Sequence, residues 1–600
     1  MRVVKALGFL FCISMGVGQA QEVLTPLRKN AAQRQYPQYR VQNTLDTIAL
    51  PFIDDFSNSQ VVPAPRRWTD RFVFVNTDMA DGPPTLGVAT FDGLNAQGDA
   101  YDPFAVNSNG LADRLTTQAI NLGLETPADS VYLSFFFQPG GWCDPPESND
   151  SLSLEWLDKN GSWRWIWSRR GSANRPFEQV ILPVTDTSFL HAGFRMRWSS
   201  YGNLSGNVDV WHLDYVRLAR NRTANDTLIT DVGFRFRPSS LLQPYQEMPW
   251  RQFAADSLRF KALNHVVTAR NLGAPRNVAY KYAARNLNNG TTIVDLGEQN
   301  ISPFPSLNDF AFSFQAFPIP QPASGDSLTL ETVYSLRTAP DFLAANDTVR
   351  RIHRFWNHFA YDDGTAETGY GLNTIGGSVA YKFYVARPDT LRGVWMQFTQ
   401  AAENAALELF NLKVWAFIGE GSFTGNESVL RQQDLLRPRY ADSIGQFVYY
   451  ALDTPVVVRD SFYVGWQQLT QRLLNIGLDR NNNVPGVKWF NVQGQWNPSL
   501  INGMWMIRPV LGDSLRYPTA LAELKVPEVK IFPNPVEDQL FIQSTGEWKS
   551  YEIMDLQGRM LLQGKAIEES ISTHWLQPGM YLLRLSDSRG RTHTARFIRR

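Results

Sequence analysis

Three tryptophans at every second position, Trp163, Trp165 and Trp167, and an acidic turn, Asp362-Asp363-Gly364 with Glu367 beyond it, concentrate the side chains with which this chain could hold a ligand. Indole rings offer flat stacking faces and one N–H donor; carboxylates offer hard oxygen ligands for a cation, or a proton-transfer pair. The ordinary reading of tryptophans at period two is a core face, and of an acid-rich turn before glycine a solvated loop. The sharper reading makes the tryptophans a sugar-stacking platform. Catalytic signatures are otherwise absent from the sequence. Its seven histidines, at 191, 212, 265, 353, 358, 574 and 593, fall in neither HExxH nor HxH spacing, so no zinc site is indicated. There is no GxSxG elbow, no Walker loop and no GxGxxG opening a helix. A carboxylate pair drawn from distant strands, as in a β-sandwich glycosidase, leaves little trace in one sequence.

The elements that must position these residues are strands. Leu152, Leu154 and Trp156 alternate, Asn160-Gly161 suits a type I′ turn, and the three tryptophans alternate back, predicting a hairpin with one aromatic face. Phe194, Met196 and Trp198, then Trp211, Leu213 and Tyr215, repeat the half-buried pattern. An aspartate followed by Ser or Thr and a β-favouring residue recurs at Asp46, Asp129, Asp150, Asp226, Asp256, Asp326, Asp347, Asp389, Asp442, Asp460 and Asp513, which reads as a turn-holding signal before each new strand. The fold class is all-β and multi-domain. Gly325-Asp326-Ser327-Leu328 and Gly512-Asp513-Ser514-Leu515 resemble the signature of GDSL esterases, but both lie amid strand patterns and no Asp-x-x-His follows.

Six hundred residues exceed one hydrophobic core and call for three or four domains. With 57 basic and 57 acidic residues the chain lacks the clustered positive charge of a nucleic-acid binder. Arg2 and Lys5 precede an apolar run from Ala6 to Val17, and Gly18-Gln19-Ala20 places small residues before Gln21, the pattern of a signal peptide over residues 1–20. No later segment is apolar enough for a membrane helix, and none is expected. Cys12 lies within the signal, leaving Cys143 without an internal disulfide partner.

At the other end, Val529-Lys530-Ile531-Phe532 stops at Pro533-Asn534-Pro535, Leu556-Gln557-Gly558-Arg559 forms a hairpin, and Leu576-Gln577-Pro578-Gly579, read as a type II turn, leads into Tyr581, Leu583 and Leu585. A basic strand from His593 to Ile598 closes the chain. Residues 525–600 resemble the type A C-terminal sorting domain of the type IX secretion system of Bacteroidota, with Pro533, Asn534, Pro535, Gly558, Pro578 and Gly579 as its signal positions. The resemblance implies a small β-sandwich, the outer-membrane translocon and its sorting and attachment machinery as partners, export, removal of the domain, and display on the surface or release.

Residues 45–220 resemble jelly-roll modules of the MAM and carbohydrate-binding type. That resemblance implies a calcium ion tying the first strand to the last, on Asp54, Asp55 and Asp214. Residues 225–354 resemble an immunoglobulin-like or fibronectin-like spacer of bacterial surface proteins, and residues 359–512 a second jelly roll, with a linker over 517–526. These readings lead to a non-enzymatic adhesin or surface scaffold. The alternatives are a polysaccharide- or peptide-active hydrolase and a part of a motility or secretion assembly; a glycan or a surface protein is the expected ligand.

Overall fold

The structure, a computed structural model, describes residues 22–30, 32–33, 47–57, 61–104, 108–323, 325–400, 404–421, 426–440, 447–512, 529–544, 548, 550–555, 560–565, 570–586 and 592–600. The signal peptide with its cut after Ala20, Cys12, the linker 517–526, Gly558, and the strand signals at Asp46, Asp442 and Asp513 lie outside the described residues. The chain divides into two units, Met1–Asp513 and Ser514–Arg600. Both are built almost wholly of strands, and no helix among the described residues is long and apolar enough to cross a membrane.

In the first unit the alternations of residues 45–220 close a sandwich. One sheet runs, in spatial order, Asn109–Thr116, Met196–Asn203, Ser151–Leu157 and Trp163–Arg170. The other runs Phe74–Asn76, Val88–Phe91, Trp211–Ala219, Tyr132–Pro139 and Glu178–Pro183, with Phe52–Asp54 also paired to Trp211–Ala219. Side chains at period two from both sheets meet between them: Trp198 stands edge-on to Phe135, with ring centroids 5.4 Å apart, and to Trp68, at 6.1 Å. The aspartate signal precedes a strand at Asp150, Asp326, Asp347 and Asp460, whereas Asp256 caps the short helix Ser257–Phe260, its side chain accepting the Arg259 amide at 3.2 Å. Asp150 accepts the Glu147 amide at 2.6 Å immediately before the strand Ser151–Leu157.

Residues 225–354 form a three-stranded and a five-stranded sheet; residues 359–512 form a six-stranded and a three-stranded one and give Thr368–Leu372, Ile476–Asp479 and Met504–Trp505 to a further four-stranded sheet. Their cores are continuous from Val232 to Leu511. Tyr245 bridges them, 4.6 Å from both the Phe359 and Tyr361 rings, and the short helix Trp250–Ala255 adds an ion pair from Arg251 to Asp389 at 2.5 Å. The strand Glu22–Thr25 pairs antiparallel with Thr368–Leu372, and Tyr370 donates its hydroxyl to Glu22 at 2.6 Å. The chain thus begins its described course inside the last β region of the unit.

The second unit has a three-stranded sheet of Val529–Phe532, Gln539–Ser544 and Ser570–Ser572, and a four-stranded one of Met560–Lys565, Ser550–Met554, Gly579–Ser586 and Thr592–Arg599. Val536, Leu540, Ile553, Leu583, Leu585 and Phe597 form its core. Gly579 departs from the type II turn expected of it: its φ is not positive, and it opens a strand instead.

Candidate functional site

The predicted hairpin is present, but its turn and its face both differ from expectation. Only Gly161, at φ 79°, adopts a left-handed conformation; Asn160 does not, so the turn is not type I′. Instead the Asp158 side chain accepts the Asn160 amide at 2.9 Å and the Ser162 amide at 2.8 Å. Along the returning strand Leu154 pairs with Trp167 and the adjacent Glu155 with Trp165, so Ile166 is one extra residue, a bulge. That extra residue sends the neighbouring tryptophans to opposite faces. Trp167 turns inward, edge-on to Phe135 at 5.2 Å and Phe137 at 5.1 Å. Trp165 turns outward and is 68% exposed.

The outward face has a definite order, because residues directly opposite across a sheet point the same way. Trp165, Glu155, Arg197 and Thr116 form one row across the four strands, Ser168, Ser153, Ser199 and Arg114 a second, and Arg170, Ser151, Tyr201 and Leu111 a third. Arg197 lies 4.1 Å from the Trp163 ring centroid and donates from Nε and Nη2 to Glu155 Oε2 at 2.9 and 2.7 Å. These contacts hold the Arg197 side chain in one place beside the exposed Trp165 indole. Trp165 and Tyr201 present exposed rings, and the Arg197–Glu155 pair lies between their strands; the Trp163 ring carries the Arg197 guanidinium, and Ser153 Oγ donates to the Ser199 carbonyl at 3.2 Å.

Asp54, Asp55 and Asp214 all lie buried where the strands Phe52–Asp54 and Trp211–Ala219 meet. Asp54 is fully engaged: Trp68 Nε1 donates to it at 2.5 Å, the Phe56 amide at 3.3 Å, and Arg67 stands 3.7 Å away. Asp55 faces the other way, toward Asn346, whose Nδ2 lies 3.0 Å from Asp55 Oδ2 and 2.8 Å from Asp231 Oδ2. Tyr215 donates its hydroxyl to Asp231. Asp214 Oδ2, Asp231 Oδ1 and Asn346 Oδ1 are buried without hydrogen-bond partners. Burial pushes the Asp55 carboxyl up to about 6, and drives Asp214 well above the carboxylate range with help from the Asp55, Asp54 and Asp231 charges. Orphaned acceptor oxygens around uncompensated acids fit a hard cation, which would satisfy them and neutralise the charge. The unpartnered oxygens that fit are those of Asp214, Asp231 and Asn346, with the Asp55 carboxyl beside them; Asp55 Oδ1 already accepts the Ser57 amide at 3.2 Å and hydroxyl at 2.8 Å, and Asp54 has its own partners. Sequence reasoning missed Asp231 and Asn346 because they belong to the next β region and lie 115 residues apart.

The other acidic groups have partners of their own. Asp362 accepts two nitrogens of Arg508, Nη2 at 2.5 Å; Asp363 Oδ1 caps the Thr365 amide at 3.0 Å; Glu367 accepts the Arg480 amide at 2.7 Å. Glu147, Asp150 and Asp209 are the one acidic trio among the described residues whose ligand atoms all lie within 4.8 Å of one another. Burial lifts Asp209 to about 8 and Asp150 to about 6, whereas a hydrogen bond with Asp209 lowers Glu147. Backbone amides of Asn203 and Glu147 bind Asp209 and Asp150 at 2.6 Å each, so the trio pins loops.

In the second unit, Asn534 binds the last strand through both ends of its amide. Its Nδ2 donates to the Arg596 carbonyl at 3.1 Å, and its Oδ1 accepts the Ile598 amide at 2.9 Å. The Pro533-Asn534-Pro535 turn is thereby fastened to the chain's C-terminal strand, while Pro578 leads into the strand that begins at Gly579. Residues 530–600 match the secretion system C-terminal sorting domain family. This stretch is a sorting domain. The protein is exported by the Bacteroidota type IX route to the cell surface or extracellular space.

Upstream of the sorting domain, known proteins add little. Compared with curated proteins, the chain matches none. Solved structures similar to it include a Bacteroides uniformis beta-glucuronidase (13% identity, covering 45% of this chain and 29% of that one, TM-score 0.20). The Endo-D glycoside hydrolase domain of Streptococcus pneumoniae R6 is 10% identical, covering 52% of this chain and 44% of that one, with TM-score 0.22. The tandem CBM22 domains of Paenibacillus barcinonensis Xyn10C are 9% identical, covering 72% and 99%, with TM-score 0.19. The chain spans less than a third of the glucuronidase and under half of Endo-D.

Proposed function

We propose that this exported protein is a non-enzymatic adhesin of the cell surface that recognises a glycan on the outer face of its first sandwich. The observation that carries the reading is the row Trp165–Glu155–Arg197: an exposed indole beside a charge pair held in place by Trp163. A sugar ring stacks its C–H face on such an indole and hydrogen-bonds its hydroxyls to neighbouring polar groups. Trp165 contributes the stacking surface, Trp163 holds Arg197 in place, and Trp167 supports the strand from the core side. A glycan array probed with the intact mature protein and with Trp165→Ala tests this; binding confined to a protein ligand moves the same face to a protein-recognition role.

Calcium is the cofactor this reading includes, held by Asp55, Asp214, Asp231 and Asn346. The unpartnered buried oxygens of Asp214, Asp231 and Asn346 support it. The three carboxylates stand wider apart than the Glu147–Asp150–Asp209 trio, so an ion would draw them together and with them the first two β regions. A hydrolase is the alternative, and the divergent carboxyls of Glu147 and Asp209 are its best support. Release of reducing sugar from a glycan that binds, lost on Glu147→Gln, would favour it.

A further inference from the structure

The sorting domain carries apolar side chains on the outside of its four-stranded sheet as well as in its core. Tyr581, Leu583 and Leu585 are buried, so the alternate residues of the same strand point away from the core. Met580 lies directly opposite Ile598 on the final strand. Two residues along, Met560, Met554, Leu582 and Arg596 form the neighbouring row across all four strands. Five apolar side chains thus make one patch, in which Met560 is 51% exposed, Met580 40% and Ile598 41%. The described methionines of the first unit, Met79, Met196, Met248, Met396, Met504 and Met506, are all buried. Among the described residues, half-exposed methionine therefore occurs on this face alone. Clustered apolar groups left in water mark an interaction surface, and unbranched methionine side chains adapt to a partner's contours.

The sorting signal bears on this patch directly. The Asn534 side chain binds the backbone of Arg596 and of Ile598, and Pro578-Gly579 stands immediately before Met580. The positions that mark the domain thus fix the two strands whose outward side chains form the patch. At its edge Arg584 Nε donates to Glu552 at 2.6 Å, whereas the exposed Arg596 guanidinium has no hydrogen-bond or ion-pair partner among the described residues. A free cation beside exposed apolar groups fits a partner surface that is apolar at its centre and acidic at its rim. The opposite outer face offers less, since its exposed rings, Phe532 and Phe541, stack on each other with centroids 5.8 Å apart. We infer that the face built by Met560, Met580 and Ile598, with Arg596 at its edge, is where the type IX secretion machinery docks, through an apolar protein groove with an acidic rim. The inference rests on the assignment of residues 530–600 as a sorting domain.

The test follows surface delivery of the full chain by immunodetection on intact cells, beside a chain lacking residues 525–600. Met580→Ser combined with Ile598→Ser should cut the surface level about tenfold or more and leave folded protein in the periplasm, because two apolar contacts are lost. Arg596→Glu should act the same way by setting like charges against each other. Met580→Leu with Ile598→Val, which keeps the face apolar, should be delivered as the wild type is. Phe541→Ser, altering a similarly exposed ring on the other sheet, should be too. Melting curves of the purified variants establish that each is folded. A photo-reactive cross-linker in place of Met580 should capture a component of the secretion machinery, identified by mass spectrometry. The inference is overturned if the folded serine pair and Arg596→Glu both reach the surface at the wild-type level, or if Phe541→Ser loses delivery while they keep it. Cross-linking only to lipid or to a second copy of the chain would overturn it as well. If the chain lacking 525–600 also reaches the surface in full, the sorting assignment itself fails; if it does not, while the face variants do, this inference alone fails.

Discussion

The guanidinium of Arg197 lies 4.1 Å from the centre of the Trp163 ring and is held there by Glu155, the residue directly opposite Trp165 on the next strand. One cross-strand row thus joins the exposed indole to a fixed charge. The bulge at Ile166 makes this possible by turning Trp165 out of the core while Trp167 stays in it.

The two tryptophans should therefore respond in opposite ways to truncation. Trp167→Ala removes an aromatic contact with Phe135 and Phe137 and should cost about 3 kcal/mol of stability. Trp165→Ala should change stability by less than about 0.5 kcal/mol. Urea unfolding of the two variants checks both, and an equal loss would place both rings in the core.

Calcium should raise the melting temperature of the mature protein, and a chelator should lower it, by mass action on the folded state. Asp214→Asn and Asp231→Asn should each abolish the response, whereas Asp54→Asn, altering a carboxylate already bound by Trp68, should retain it. Melting curves with and without calcium decide the ligand set. An unmoved wild type removes the ion altogether.

His212 is buried between Thr90 Oγ1 at 2.9 Å and the Gly140 carbonyl at 3.2 Å, and burial lowers its pKa from 6.5 to about 4. The unfolded chain takes up its proton first as pH falls. The stability that neutral His212 provides is therefore complete above 6.5 and is lost progressively between 6.5 and about 4. His212→Gln should flatten that part of the stability profile, as followed by denaturant titrations at stepped pH.

Removing residues 525–600 deletes a unit with its own core, so Met1–Asp513 should remain folded. Only its destination should change, to the periplasm. Immunodetection of the truncated protein on intact cells, beside a folded reporter carrying the same residues, checks this; surface levels equal to the full chain's would contradict it.

What could be read from sequence divides along local and distant information. The sorting domain was legible because four motifs in order, from Pro533-Asn534-Pro535 to the final basic strand, each encode a local turn or strand. The strand Ser151–Leu157 was legible from its alternation, and it buries every second residue. The bulge was not, because one inserted residue leaves the period-two spacing of Trp163, Trp165 and Trp167 intact in the sequence while reversing a face in the sheet. Nor was the pairing of Glu22–Thr25 with Thr368–Leu372, nor the shared core running from Val232 to Leu511, since both depend on contacts between segments that look self-sufficient alone. Asp54 and Asp55 are neighbours in sequence yet serve different partners, Trp68 and Asn346, because adjacent residues of an extended chain point to opposite sides.

The most direct test of the central claim is binding of the intact mature protein to an array-selected glycan, compared with its Trp165→Ala variant. The account predicts a measurable dissociation constant for the wild type and at least about a tenfold loss in the variant, at an unchanged melting temperature. Binding by Trp165→Ala equal to that of the wild type would contradict it, as would a wild type that binds no glycan.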